Sequence, residues 1–246
     1  MMKGTRNIGR AILALALVGA VGFSAIACKT DVDGNGGNGG NTEGTSLPET
    51  DPETGLFYQK SGNAYILKGR DSSIRSGDSL TVPDTYEELP VTEIADNAFP
   101  GKDLTKVTIG NKVEIIGNGA FYGNKLAGVT FGNKVEIIGD SAFGSNELAG
   151  ELSIPDSVVS IGQRAFSSNE LTKVTFGNKV ETIGDNAFYG NMVTTITIGA
   201  NVVISSDTAM GSYGSKFLTS YNGNGKKKGT YTYAGNYVSG AWTLQE

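Results

Sequence analysis

Between residues 80 and 210 the apolar positions of the chain recur at a fixed spacing. Successive units begin at Leu104, Leu126, Leu148 and Leu171, which gives a period of 22 or 23 residues. Each unit opens with a short segment, such as residues 106–109, in which β-branched and polar residues alternate. This alternation predicts a strand with one buried face, with Val107 inside and Lys106 and Thr108 outside.

The second half of each unit has a different apolar spacing. Its apolar residues are Val113, Ile116, Ala120 and Phe121 in the unit that starts at Leu104. Spacings of three and four residues predict a helical or 3₁₀-like turn, kept short by glycines such as Gly110 and Gly117, where corners are expected to need freedom in φ. A phenylalanine recurs in every unit and predicts an internal aromatic column. The column comprises Phe99, Phe121, Phe143, Phe166 and Phe188.

One such unit cannot cover its own apolar face, so the units are expected to stack. The period lies within the window of about 20–29 residues that is typical of leucine-rich repeats. The sequence thus predicts a β-rich leucine-rich-repeat solenoid of about six coils of 22–24 residues over residues 80–210. Short strands are expected on a concave face, with short helical or 3₁₀ turns on the other side.

Both ends of an open stack need covering. Residues 55–79 are predicted to form an N-terminal cap hairpin, and residues 211–246, which are rich in tyrosine, a C-terminal cap. The aromatic residues of the second segment could instead form a binding surface. Lys226–Lys228 is predicted to be a solvated hairpin tip rather than an anion-binding patch.

The repeats resemble a known family. The string at residues 154–166, IPDSVVSIGQRAF, and DNAFYGN at residues 185–191 look like the BspA-like, or treponemal-type, leucine-rich repeat. This sequence departs from the family pattern where asparagine stands instead of a frequent cysteine, and where Gly-Asn-Lys replaces Pro-Asp-Ser in three units. These asparagines could hydrogen-bond backbone amides between coils or face solvent in turns. They are Asn124, Asn146, Asn169 and Asn191.

The amino-terminal residues predict export. Residues 1–27 have a basic start, a run of about thirteen apolar residues and small residues before Cys28, as in a secretory signal peptide. Residues 25–28, Ala-Ile-Ala-Cys, resemble a relaxed bacterial lipobox, which implies that Cys28 is lipidated and anchors the protein in a membrane. Residues 28–54 are then a flexible linker rich in Gly and Asn. Its Asp31-x-Asp33 start lacks the glutamate that a calcium loop requires at its last position.

Composition excludes several functions. The chain has no histidine and a single cysteine, so it has no histidine-based metal site, no histidine general base and no internal disulfide. Its net charge of −5 argues against nucleic acid as a partner. Asp140, Asp156 and Asp185 have the side chains that a glycosidase uses, but they occupy turn positions where Asp ordinarily caps. We therefore expect no catalysis, no metal site and no cofactor.

The outward strand positions are the candidate binding site, with a protein as the ligand. They form a column of hydroxyls flanked by mixed charge, which favours weak, multivalent contact. The candidate residues are Lys106, Thr108, Thr130, Glu151, Ser153, Lys173, Thr175 and Thr197. The family resemblance implies a surface adhesin for host matrix or cell-surface proteins, and the alternative is a periplasmic or structural envelope scaffold. The solenoid itself is expected to be monomeric.

The expected location is the outer membrane. Lys29 follows Cys28, so the chain lacks the aspartate that resembles an inner-membrane retention signal. The sequence leaves the leaflet undetermined, and the adhesin interpretation favours the cell surface.

Overall fold

The computed structural model describes residues 47–71, 78–212, 214–235 and 239–245, and within these ranges the regular structure consists of short strands and one helix. In chain order the elements are β1 Glu49–Thr50, β2 Leu56–Ser61, β3 Ala64–Arg70, β4 Ser79–Thr81, β5 Thr85–Tyr86, β6 Leu89–Ile94, β7 Lys106–Thr108, β8 Ile115–Ile116, β9 Gly128–Thr130, β10 Ile137–Ile138, β11 Ala149–Ser153, β12 Ser160–Ile161, β13 Glu170–Thr175, β14 Thr182–Ile183, β15 Thr195–Ile198, β16 Val203–Ile204, α1 Gly214–Gly223, β17 Gly229–Ala234 and β18 Ala241–Gln245. The predicted solenoid of about six coils is confirmed.

The strands at the start of each unit stack in parallel on their neighbours. Val107 pairs with Val129 across β7 and β9, and Val174 pairs with Ile196 across β13 and β15. This stack is divided into two sheets, since β4, β7 and β9 form one and β11, β13 and β15 belong to another. The valines and isoleucines face inward because alternation along a strand sends successive side chains to opposite faces.

A second parallel ladder follows each corner. It consists of the short strands β8, β10, β12, β14 and β16, continued at the amino end by β6. The spacing of Val113 and Ile116 predicts only a turn here, but Ile115 and Ile116 pair with Ile137 and Ile138 of the next coil. In the stack, these backbone groups form hydrogen bonds with the adjacent coil. In a helical turn, they would have formed hydrogen bonds within their own coil.

The turn that follows forms a third ladder between coils. The backbone N–H groups of Gly119 and Phe121 donate to the carbonyls of Asp140 and Ala142, each at 2.8 Å. Between them Ala120 donates to Gly117 at 3.3 Å, which is the three-residue bonding that the sequence predicts. Neighbouring coils are therefore bonded on three sides, except between β9 and β11, where the first ladder is interrupted.

The predicted aromatic column fills the core. Successive rings from Phe99 to Phe188 stack with centroids 5.3–5.5 Å apart, and all five side chains are fully buried. The separation is close to the spacing of about 4.8 Å between hydrogen-bonded strands, because each ring rides on its own coil. Burial of each ring stabilises the fold by roughly 2–3 kcal/mol.

The four repeat asparagines join neighbouring coils, which decides between the two alternatives that the sequence left open. Asn146 is buried, and its Nδ2 donates to the carbonyls of Phe121 and Phe143 at 3.0 and 3.1 Å. The same pattern, with one bond to each of two coils, recurs at Asn124, Asn169 and Asn191.

The corner glycines have a role different from the expected freedom in φ. Gly117 and Gly139 do not have positive φ, but a Cβ on Gly117 would lie 2.5 Å from the backbone N of Asp96, and one on Gly139 would lie 2.7 Å from that of Asn118. Glycine is required because the backbones of successive coils approach closely at these corners. These positions require glycine because a Cβ atom would not fit, and not because the backbone adopts a positive φ.

The ends of the stack are covered by different structures. At the amino end β2 and β3 form an antiparallel hairpin, and β3 pairs in parallel with β6 of the first coil. At the carboxyl end β17 pairs antiparallel with β15, and β18 extends the same sheet. Helix α1, which the sequence analysis did not predict, places Phe217 against Tyr231 and Trp242, with ring centroids 5.4 and 5.2 Å apart. The lysines at 226–228 lie in the connection between α1 and β17, so the expectation of a hairpin tip is wrong.

Candidate functional site

The predicted binding residues all lie on the first ladder of strands, which we call the strand face. Thr108 is paired with Thr130, Ser153 with Thr175, and Thr175 with Thr197, so the column of hydroxyls exists as aligned neighbours. Lys106, Thr130, Glu151 and Ser153 are exposed, and Thr108, Lys173, Thr175 and Thr197 are half-buried. The structure brings these side chains together in two groups, one on each sheet.

Glu151 is the centre of the larger group. Its carboxylate lies 3.1 Å from Nζ of Lys173 and accepts a 3.2 Å hydrogen bond from Oγ1 of Thr175. Both charged side chains remain about half exposed, so a partner can reach them without breaking the core. Three of the predicted residues therefore form one polar cluster of mixed charge.

The strand face continues further than the sequence analysis predicts. The hydroxyl of Thr197 lies 2.9 Å from that of Thr230 on β17, and Thr232 accepts a 2.7 Å hydrogen bond from Nε2 of Gln245 on β18. The alternation of Thr and Tyr at residues 230–233 is the sequence signal for this extension. The carboxyl-terminal hairpin thus lengthens the row of hydroxyls as well as covering the last coil.

Exposed aromatic side chains lie elsewhere. Tyr122 and Tyr189 are 47% and 54% exposed, and each directly follows a core phenylalanine on the turn ladder. The strand face consequently lacks an exposed aromatic anchor among its described residues. Buried aromatic anchors supply much of the energy of tight interfaces, so this composition suits weak contact.

Two of the carboxylates that could have served a glycosidase have a structural role. Oδ1 of Asp140 accepts a 2.7 Å hydrogen bond from the backbone N of Gln163, and Oδ1 of Asp156 accepts one of 2.8 Å from that of Asn178. Each carboxylate therefore caps the corner of the following coil. Among the described residues no three metal-ligating side chains are grouped as a metal site would need.

The predicted lipid site, Cys28, and the predicted signal peptide lie outside the described residues. Where the structure does describe the chain, none of its helices is long and apolar enough to cross a membrane.

Comparison with known proteins identifies the repeats. The family model for the BspA-type leucine-rich repeat region matches six copies within residues 92–213. Among solved structures, the pneumococcal vaccine antigen PcpA is 24% identical with a TM-score of 0.49, over 68% of this chain and 48% of that one. The chain thus spans about half the length of that antigen.

A leucine-rich repeat protein of T. pallidum is 25% identical with a TM-score of 0.41, over 58% of this chain and 78% of that one. One from Bacteroides ovatus is 21% identical with a TM-score of 0.40, over 58% and 45% of the two chains. No curated protein sequence matches the chain.

Proposed function

Residues 92–213 belong to the BspA-type leucine-rich repeat family, and from this premise we propose that the strand face binds proteins. The observation that carries the proposal is the aligned row of exposed and half-buried hydroxyls around the Glu151–Lys173 pair. A regular polar surface of this kind offers the same few contacts repeatedly along its length. Such a surface suits a long protein partner, with weak contacts at each coil that add along the row.

We further propose that the protein is an exported lipoprotein, anchored in the outer membrane through Cys28, and that it acts as an adhesin for host matrix or cell-surface proteins. The lipobox-like Ala-Ile-Ala-Cys sequence supports the anchor. Many copies on one membrane would turn weak single contacts into firm attachment, because the second and later contacts are made at high effective concentration. At the carboxyl end, β17 and β18 extend the strand face beyond the last coil, which lengthens the surface available to a partner.

Two experiments test this proposal in order. The first treats intact cells with a protease, with a known periplasmic protein as the internal control. Loss of the protein while the control survives supports surface exposure, and survival until the outer membrane is broken would refute the adhesin and favour a periplasmic scaffold.

The second experiment measures binding of the purified full chain to immobilised fibronectin, laminin and collagen. The wild type is compared with a Lys173→Glu variant, which places two carboxylates side by side on the strand face. Binding that weakens in the variant supports the proposed site. Equal binding by both proteins would show that the strand face is not the contact surface. As a matched control, Lys134→Glu changes an exposed lysine at a corner outside the strand face.

A further inference from the structure

The first ladder is interrupted between β9 and β11. After β4, β7, β11 and β13 the next residue donates its backbone N–H to the following coil, as Ile109 does to Thr130 at 2.8 Å and Ile154 to Thr175 at 2.8 Å. The corresponding N–H of Phe131 has no such acceptor among the described residues, and β9 is paired with β7 alone. The backbone of β9 therefore presents a free edge within the body of the strand face.

The interruption exposes apolar side chains that are buried in other coils. Val129 and Phe131 are only half-buried, whereas their counterparts Val107 and Ile109 are buried. Between the two strands lies a cleft of about 470 Å³, lined by these two side chains, by Leu152 and Ile154, and at its rim by Thr130 and Ser153. This volume falls within the range of about 300–1,000 Å³ that is usual for ligand sites.

The sequence supplies a physical reason for the separation. Pro155 stands at the corner position that Gly110, Gly132 and Gly177 occupy in other coils. A Cβ on Gly132 would fall on the carbonyl oxygen of Gly110, so only glycine allows two coils to approach so closely there. The proline ring prevents an equally close approach of β11 to β9. The same unit has one residue more than its neighbours, and the pairing of β11 with β13 shifts register between Gly150 and Glu151.

The opening is confined to this one face. On the second ladder Ile138 pairs with Ile161, and on the third the N–H of Phe143 donates to Ala165 at 2.7 Å. The rings of Phe143 and Phe166 remain stacked 5.3 Å apart. The cleft thus lies between two coils that are joined on their other two ladders and through their core rings.

We propose that this cleft binds an extended peptide segment of a partner protein, which adds as a strand along the free edge of β9. Only a peptide backbone in extended form carries donors and acceptors at the spacing that a strand edge presents. Alternate side chains of the segment would point inward against Val129 and Phe131, so the segment carries a β-branched or aromatic residue at that position. This inference rests on the proposed function, since it specifies where on the strand face the protein ligand binds and by which type of pairing.

The probe is a peptide with the sequence LTKVTFGNK, which is residues 171–179 of this chain and includes much of the strand that pairs with β11. The peptide is titrated into the purified full chain, and fluorescence anisotropy reports binding. We expect saturation with a dissociation constant below about 1 mM. Amide hydrogen exchange at Phe131 should be faster than at Ile109 in the free protein and should slow about tenfold when the peptide binds.

A peptide of the same sequence that is N-methylated at alternate residues on the pairing side is the backbone control. It keeps the side chains but cannot donate to the strand edge, so it should not bind. Equal binding by the methylated peptide, absence of saturation by about 1 mM, or unchanged exchange at Phe131 would each overturn the proposal.

Two variants locate the site. Val129→Lys places a charge in the open cleft and should weaken peptide binding about tenfold or more, whereas Thr108→Lys, on the fully paired strand β7, should not. Pro155→Gly should let β11 approach β9, so that the Phe131 amide becomes protected without peptide and the peptide binds more weakly. If Pro155→Gly changes neither property, the role assigned to Pro155 is wrong.

The same variants separate this inference from the proposed function. If matrix proteins bind the wild type and Val129→Lys equally but fail to bind Lys173→Glu, the strand face is the ligand site and the cleft is not. If the peptide binds in the cleft while no matrix protein binds the full chain, strand addition stands and the proposed class of partner is wrong.

Discussion

The backbone N–H of Leu126 donates a 3.1 Å hydrogen bond to Oδ1 of Asn146, 20 residues further along the chain. The side chain of Asn146 also donates to the carbonyls of Phe121, Phe143 and Gly144, so one buried amide bonds to four backbone groups in two coils. An asparagine that looks like a turn residue in the sequence is therefore a cross-link between repeats.

Replacement of this asparagine should destabilise the fold strongly. Asn146→Ala removes the acceptor of the buried Leu126 N–H, whereas the carbonyls of Phe121 and Phe143 each keep a second asparagine donor. One buried group without a partner costs roughly 1–3 kcal/mol, and we expect the free energy of unfolding to fall by about that amount. Urea denaturation measures the change. Asn133→Ala, at an exposed corner of the same coil, is the matched control and should change stability by less than about 0.5 kcal/mol. Similar losses in both variants would contradict the role of the buried amide.

Two glycines of the same coil should respond oppositely to alanine. A Cβ on Gly132 meets the backbone of the preceding coil, whereas one on Gly128 meets no atom within 4 Å, and neither glycine has positive φ. Gly132→Ala must push two coils apart and should cost about 1–3 kcal/mol. Gly128→Ala should be neutral or slightly stabilising, because alanine restricts the unfolded chain. Thermal unfolding of both variants checks the contrast, and a melting temperature lowered equally in both would refute it.

Stability should fall as pH rises through the titration of Glu93. Burial raises the pKa of this carboxyl, the neighbouring Asp96 adds to the effect, and the charge of Lys68 opposes it. The folded state therefore holds the proton at pH values where the unfolded state has released it. The stabilisation from this preference is present below the unfolded pKa and is lost as pH rises through the folded pKa.

Glu93→Gln tests this linkage. The variant should be more stable than the wild type at pH 7, where the wild type holds a partly buried charge, and the difference should shrink toward pH 4. Denaturation curves at several pH values give the comparison. A stability difference between the two proteins that does not change between pH 4 and pH 7 would show that Glu93 is not the group responsible.

The ion pair of the strand face should matter more to binding than to folding. Glu151 and Lys173 are half exposed, and such pairs contribute at most about 1 kcal/mol to stability. Exchanging the two charges, with Glu151→Lys and Lys173→Glu together, should preserve the free energy of unfolding and weaken binding to a protein ligand that recognises the order of charges. Unfolding and matrix-protein binding are measured on the same preparations, and a double variant that binds like the wild type would exclude these charges from the contact.

Much of the fold follows from regular spacing in the sequence. The recurrence of Phe121 and Phe143 at one position predicts the column of rings, because only stacking buries an identical apolar face in every unit. Alternation at residues 106–109 similarly predicts β7 and the outward direction of Thr108. A position that must be apolar in every coil recurs in the sequence at the period of the repeat. Such positions can therefore be predicted from the sequence alone.

The features that depend on the approach of two coils were harder to predict. Ile115 and Ile116 form a strand only because a neighbour lies beside them, and a two-residue segment has too little alternation to indicate pairing. The cleft beside Phe131 is linked to Pro155 in the sequence. Pro155 predicts a wider separation of two coils only when it is known that the corner glycines lie against the preceding backbone. The only sequence signal for helix α1 is the spacing of four residues between Phe217 and Tyr221, and one such pair is too little to predict a helix.

The column of phenylalanine rings also has a consequence for how this gene can change. Each ring contacts the same residue of the preceding and following coil, so the loss or duplication of one whole unit, such as residues 104–125, restores every contact with its equivalent. Recombination between near-identical units can therefore lengthen or shorten the protein in steps of about 4.8 Å without a new packing problem. A gain of a single residue is different, because the one longer unit, at residues 148–170, is the unit at which the first ladder is interrupted. Selection can thus adjust the reach of the molecule independently of the chemistry of its surface.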